Sequence, residues 1–209
     1  AAQNQLPLLG INVGHVGFMT ELEPAELPKM EKLFTDEFSL DSRMMLHVAV
    51  QRGGRIVYEN DALNDIVIAK GTAFRVVRVG ISADNEEVTR FNGDGVIAAT
   101  PTGSTAYNLS AGGPILSPTM EAVVITPICP HSFNKRSVVV SSQAEICVKV
   151  EKTRESYVDE ASVRCDGEVC AAIETGDVIR IQKAELPFNM VCVGEIGFYQ
   201  KMRSKLNRT

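Results

Sequence analysis

Phe91-Asn92-Gly93-Asp94-Gly95-Val96-Ile97-Ala98-Ala99-Thr100-Pro101-Thr102-Gly103-Ser104-Thr105-Ala106-Tyr107-Asn108-Leu109-Ser110-Ala111-Gly112-Gly113-Pro114 is the stretch around which the chain is organised. Val96-Ile97-Ala98-Ala99 is a short apolar run and reads as a buried strand. It breaks at Pro101, and Thr102 or Ser104 would cap a following helix. That helix would carry Tyr107 and Ser110 on one face, three residues apart. Gly112-Gly113-Pro114 would end it, because glycine tolerates a left-handed turn and proline cannot continue a helix. The start of such a helix directs free backbone N–H groups at an anion or polar ligand. Asp94, set between two glycines, adds a carboxylate on what reads as very mobile backbone. By spacing alone, the same joint is equally an ordinary tight turn.

The full string is more specific than its spacing. Asp94-Gly95, then Thr100-Pro101-Thr102-Gly103-Ser104-Thr105-Ala106-Tyr107-Asn108, then Ser110-Ala111-Gly112-Gly113-Pro114, resembles the signature of the NAD kinases, which phosphorylate NAD to NADP. Ile125-Thr126-Pro127-Ile128-Cys129-Pro130-His131-Ser132 and Gly10-Ile11-Asn12-Val13-Gly14-His15-Val16-Gly17-Phe18-Met19-Thr20 resemble the same family, in the same order. The resemblance implies binding of NAD or NADP and ATP, with Mg²⁺ or another divalent cation arriving with the triphosphate. It also implies a homo-oligomer, dimer or tetramer. Within the 105–110 segment it points to Thr105, Ala106, Tyr107, Asn108, Leu109 and Ser110 as ligand contacts, with Asp94 beside them.

At 209 residues and 44% hydrophobic content, the chain can bury one large core or two modest ones. A net charge of −5 and the lack of a basic run argue against a nucleic-acid partner. No apolar stretch approaches the ~20 residues that span a bilayer, so no membrane role is expected and the expected location is cytoplasmic.

In chain order, Ala1-Ala2-Gln3-Asn4-Gln5 reads as the tail of a helix, and Leu8-Leu9-Gly10-Ile11 as a parallel strand covered on both faces. A parallel partner needs a crossover of a dozen or more residues, so the chain is expected to be incomplete at its start. The family's Gly-Gly-Asp-Gly motif, whose aspartate takes the proton from the ribose hydroxyl, is absent here, so no catalytic residue is assigned within this chain. By resemblance, Phe18 lines the adenosine side of the NAD pocket. Pro24 opens a helix with Leu27, Met30, Leu33 and Phe34 along a core-facing stripe.

From Phe38 the periodicity becomes that of strands. Residues 46–51 and 55–59 flank Arg52-Gly53-Gly54, a hairpin signal. In Ala62-Leu63-Asn64-Asp65-Ile66-Val67-Ile68 two polar residues interrupt an apolar run. An Asn-Asp pair is most often a turn. Between strand-like neighbours it needs partners, and a sugar diol suits it: a carboxylate accepts hydroxyl protons, while the amide donates and accepts. Asn64 and Asp65 match the family's pair. Residues 74–82 and 88–91 bracket a second hairpin, and Arg75 aligns with an arginine that some members use at the nucleotide site.

Residues 138–140, 145–150, 162–165, 169–173 and 178–181 read as short strands of an antiparallel sandwich, with Asp166-Gly167-Glu168 as a hairpin turn. Some family members carry a glutamine contact where Glu168 stands. The five cysteines include no C-x-x-C pair. A turn at Asp166-Gly167 sets Cys165 opposite Glu168 and Cys170 diagonally about 7–8 Å away, which makes both reduced core residues. The three histidines lack paired ligand spacing, and no metal site is expected. The expected fold is therefore α/β plus all-β: residues 1–38 as part of an N-terminal α/β domain, a β-sandwich over 39–194, and a tail over 195–209 that packs back on the first part.

Overall fold

The computed structural model describes residues 2–14, 19–71, 76–132, 136–151, 161–194 and 197–206 of the chain. Its strands are β1 (Ser39–Arg43), β2 (Leu46–Arg52), β3 (Arg55–Ala62), β4 (Asp65–Lys70), β5 (Val77–Ala83), β6 (Glu86–Gly93) and β7 (Gly95–Ala99). After helix α1 (Tyr107–Ser110) come β8 (Ala122–Ile128), β9 (Val138–Ser141), β10 (Ile146–Glu151), β11 (Ala161–Cys165), β12 (Glu168–Ile173), β13 (Val178–Lys183), β14 (Phe188–Cys192) and helix α2 (Phe198–Leu206). The chain divides into two compact units, Met44–Glu185 and Ala1–Arg43 with Leu186–Thr209.

The larger unit is a sandwich of two six-stranded antiparallel sheets, ordered β3-β2-β13-β10-β5-β6 and β12-β11-β4-β7-β8-β9. One shared core joins their inner faces. Leu46, Val48, Val50, Val79, Ile146, Ile179 and Ile181 enter from the first sheet, and Ile66, Ile68, Val96, Ile125 and Val163 from the second. In the first sheet β5 and β10 alternate, as expected when one face is covered. In contrast, β7 and β8 are buried at every position. Their outward residues Ile97, Ala99, Val124 and Ile128 join Val67 and Leu116 in a second apolar cluster, beneath the segment that leads from β7 to β8. This explains why Val96-Ile97-Ala98-Ala99 is a continuous apolar run rather than an alternating one. Full burial of a side chain such as Ile97 contributes about 1.5–3 kcal/mol. The turns Gly53-Gly54, Asp84-Asn85 and Asp166-Gly167 all have both residues at positive φ, the geometry that matches the twist of a two-residue hairpin.

In the smaller unit, β1 pairs with β14. Leu22, Val191 and Val193 form a cluster on which Leu9, Ile11, Met30 and Leu33 pack. Two sequence expectations change here. The 8–11 run makes only isolated parallel bridges, Leu8 with Met190 and Ile11 with Leu22. The segment from Pro24 to Leu33 is a 3₁₀ helix containing Pro28, opened by a reciprocal Glu23/Glu26 capping box. Three residues per turn keep Met30 and Leu33 in line with the cluster but rotate Phe34 away. Phe34 is 89% exposed and Leu27 41%, so only half of the predicted stripe is core. Glu21 is bound by Lys201 of α2 at 2.5 Å and by the Gly194 N–H at 2.8 Å.

Candidate functional site

The Gly/Thr/Ser stretch folds as a hydrogen-bonded scaffold rather than as a long helix. Gly103–Thr105 is a single 3₁₀ turn, and α1 has only four residues. The expected capping is also different. Neither Thr102 nor Ser104 caps through its side chain; Thr100 does the work, accepting from the Gly103 N–H at 3.0 Å and donating to the Leu63 carbonyl at 2.6 Å. Ser104 Oγ donates to the Pro101 carbonyl at 2.6 Å and accepts from the Leu116 N–H at 3.0 Å. Asn108 is fully buried; its Nδ2 donates to the carbonyls of Ser104 and Pro114, both at 3.0 Å, and its Oδ1 accepts from the Thr126 hydroxyl at 2.6 Å. Short polar side chains thus take up the backbone groups that a helix would have satisfied. A one-turn helix provides no strong N-terminal dipole, so the ligand-binding power of this loop lies in its side chains and its shape.

A cleft of about 600 Å³ lies beside this scaffold, bordered by the start of β4, the β6–β7 joint, the Ala106-Tyr107 step and the β11–β12 turn. The Asn64-Asp65 corner is fixed from outside the pair. The Asp166 carboxylate accepts the backbone N–H groups of Leu63 at 2.8 Å, Asn64 at 2.7 Å and Asp65 at 3.1 Å. On its other side, the Asn64 carbonyl accepts the Thr100 N–H at 2.9 Å, and a Cβ at Gly103 would lie 1.9 Å from that oxygen, so only glycine fits. Asp65 is 4% exposed. Burial, and then the neighbouring Asp166 charge, push its carboxyl up to about 6 against the opposing effect of the Tyr107 N–H.

At the other end, Asp94 is held on rigid backbone, contrary to the sequence expectation. Its N–H donates to the Ile128 carbonyl and its carbonyl accepts the Lys70 N–H, both at 2.9 Å. Its carboxylate pairs with Lys70 Nζ at 2.7 Å. The flanking glycines serve close approach: a Cβ would lie 2.8 Å from the Ile128 oxygen at Gly93, and 2.2 Å from the Ile68 oxygen at Gly95.

Of the residues singled out in the sequence, the cleft brings together Asn64, Asp65, Asp94, Ala106 and Tyr107, whose ring is 46% exposed. Thr105, Asn108, Leu109 and Ser110 do not border it; Thr105 Oγ1 donates to the Thr102 carbonyl at 3.1 Å and Ser110 is exposed. Phe18 and Arg75 lie outside the described residues. Sequence reasoning missed Lys70, Arg164 and Asp166. A left-handed Asp-Gly turn carries a carboxylate whose reach is invisible without the sheet pairing, so Asp166 read only as a hairpin residue. All five cysteines are free. A bulge between Val163 and Arg164 leaves Cys165 opposite Glu168, and the Cys170 thiol donates to the Glu168 carbonyl at 3.4 Å. Among the described residues no group of three or more His, Cys, Asp or Glu is arranged to hold a metal ion, and no helix is long and apolar enough to cross a membrane.

Comparison with known proteins accords with this geometry. A family model described as the ATP-NAD kinase C-terminal domain matches residues 63–193. The NAD kinase of Desulforamulus reducens is 43% identical over 206 residues, covering 98% of this chain and 70% of the relative. That of Syntrophotalea carbinolica is 43% identical over 203 residues, covering 96% and 70%. Among solved structures, yeast NADH kinase complexed with NADH matches with a TM-score of 0.90 at 26% identity, covering 97% of this chain and 60% of that one. An NAD kinase from Archaeoglobus fulgidus in complex with ATP matches with a TM-score of 0.74 at 30% identity, covering 96% and 74%. The chain thus spans 70% of the length of those two bacterial relatives. The chain belongs to the NAD kinase family.

Proposed function

We propose that this chain is the NAD-holding part of an enzyme that transfers the γ-phosphoryl group of ATP, or of another phosphate donor, to the adenosine 2′-hydroxyl of NAD, giving NADP. The observation that carries this reading is the convergence of the Asn64-Asp65 corner, the exposed Tyr107 ring and Asp94 on one cleft. Catalysis of phosphoryl transfer is mostly positioning and charge neutralisation. In that chemistry the Asn64 amide and Asp65 carboxylate bind the hydroxyls of a ribose. Tyr107 lies against a ring face, Ala106 closes the wall beside it, and Asp94 receives an amide or amino group. Thr105, Leu109 and Ser110 flank this contact and Asn108 supports it from below; Phe18 and Arg75 complete the pocket by resemblance to the family. Mg²⁺ or another divalent cation comes with the triphosphate and offsets its charge. The enzyme works as a homo-oligomer, a proposal supported by the exposed Ile56 and Val57 on β3 and Val169 on β12, both edge strands.

A second reading, a module that binds NAD or NADP without chemistry, draws on one observation. Each cleft carboxylate already has a partner: Asp94 has Lys70, Asp166 has three amides, and Asp65 has the Tyr107 N–H. A coupled dehydrogenase assay with NAD, ATP and Mg²⁺ separates the two. The 209-residue chain is expected to bind NAD in calorimetry yet form no NADP above a blank, and joining it to an upstream Gly-Gly-Asp-Gly segment is expected to give turnover. No turnover with the segment present would favour the binding module. NAD affinity unchanged in both Asn64→Ala and Tyr107→Ala would refute the site itself.

A further inference from the structure

Among the described residues, two cations border the cleft, and one of them is paired. Lys70 is bound to Asp94. Arg164, in the middle of β11, has an exposed side chain and makes no hydrogen bond or ion pair among the described residues. It is not simply a solvated surface charge, because its position is fixed by register. Arg164 lies directly opposite Val67 of β4, and Val67 borders the cleft together with Asp65 and Ala69, the alternate residues of one strand face. A residue opposite Val67 in an antiparallel pair projects to that same face, and Arg164 does border the cleft.

Strand geometry then gives its place along the cleft. At about 3.3 Å per residue, Val67 is roughly 7 Å from Asp65 and roughly 10 Å from Lys70. The unpaired guanidinium is therefore between the Asn64-Asp65 corner at one end and the Asp94–Lys70 pair at the other. A dinucleotide has its sugars and rings at its ends and two phosphates between them. If its ends occupy the two polar ends of the cleft, its phosphates pass the middle, where the nearby carboxylates are already engaged and one cation is free. Guanidinium has the fork geometry that binds two phosphate oxygens at once.

We propose that Arg164 is the residue that holds the pyrophosphate of the bound dinucleotide, and so selects a diphosphate-bridged ligand over a nucleoside. This inference rests on the dinucleotide reading of the cleft given above. Nothing in the proposal requires Arg164 for the fold, since its side chain is exposed.

The test is calorimetric titration of the full 209-residue chain, as wild type, Arg164→Ala, Arg164→Gln and Arg164→Lys, with NAD and separately with adenosine, which has no phosphate. Each variant's thermal unfolding is recorded alongside. Arg164→Ala and Arg164→Gln are expected to weaken NAD binding roughly tenfold and to leave adenosine binding unchanged. Arg164→Lys should recover part of the loss, and the NAD affinity of wild type should fall more steeply with salt than that of either neutral variant. Equal NAD affinity in wild type and both neutral variants overturns the proposal. So does a parallel loss of NAD and adenosine binding, which marks a structural role. If wild type binds adenosine but not NAD, Arg164 is not a pyrophosphate ligand; if it binds neither, the dinucleotide reading of the cleft fails and the proposal with it.

Discussion

Asn108→Ala separates a ligand contact from a scaffold residue. Asn108 is fully buried, and its side chain satisfies the Ser104 and Pro114 carbonyls and the Thr126 hydroxyl. Alanine leaves both carbonyls without their donor. Thr126 retains a partner in Ser137 at 2.9 Å, so its loss is small. The buried Ser104 carbonyl left unsatisfied costs about 1–3 kcal/mol, the carbonyl of the exposed Pro114 costs little because water reaches it, and the cavity of the missing amide adds roughly 1 kcal/mol. The expected destabilisation is roughly 2–4 kcal/mol, which for a chain of this size lowers Tm by about 4–16 °C. Gly113→Ala should act on the same network, because its Cβ would lie 2.0 Å from Asn108 Oδ1, and the double variant should be less destabilised than the two single effects added. Denaturant midpoints at constant slope measure these changes, with NAD titration in parallel. A loss below about 1 kcal/mol combined with a large drop in NAD affinity would refute the scaffold assignment and return Asn108 to the ligand.

Two further outcomes follow from titrating groups. Asp65 is held at about 6 against an ordinary 3.8, so the folded state binds its proton more tightly than the unfolded chain does; the favourable contribution of the neutral form is complete below about pH 4 and is lost as pH rises through 6. Asp65→Asn should therefore gain stability relative to wild type across pH 4–6, by up to roughly 3 kcal/mol, and hold that gain above it; parallel stability curves from pH 4 to 7 would contradict the buried-carboxyl assignment. Burial disfavours a thiolate at Cys170, yet hydrogen bonds from Tyr58, Cys165 and Asn60 outweigh it and lower its pKa, whereas burial lifts Cys165 well above the usual thiol range. Iodoacetamide should modify Cys170 at least roughly tenfold faster than Cys165 by peptide mass spectrometry, and equal rates would overturn this ordering.

Local chemistry made much of this protein legible in its sequence. Val96-Ile97-Ala98-Ala99 announced a buried strand, and paired left-handed residues at Gly53-Gly54 and Asp166-Gly167 fixed two hairpins, because a two-residue turn depends only on its own backbone. Asn64-Asp65 stood out because adjacent polar side chains in an apolar run require partners. What the sequence misjudged were matters of distance. A helix was expected after Pro101, but Thr100, Ser104 and Asn108 bond to residues up to 37 positions away, and those bonds hold the loop in a non-helical path. The glycines beside Asp94 looked like sources of mobility, yet they are where one strand's backbone comes too close to another for a Cβ. Asp166 reaches the Asn64-Asp65 corner across 101 residues and more, and Arg164 faces the cleft only because β11 pairs with β4 in one register. Residue types and turn geometry are local and can be read along the chain. Which carboxylate holds which corner, and which cation is left unpaired, depends on the pairing of strands far apart in sequence, and only the folded sheets decide it.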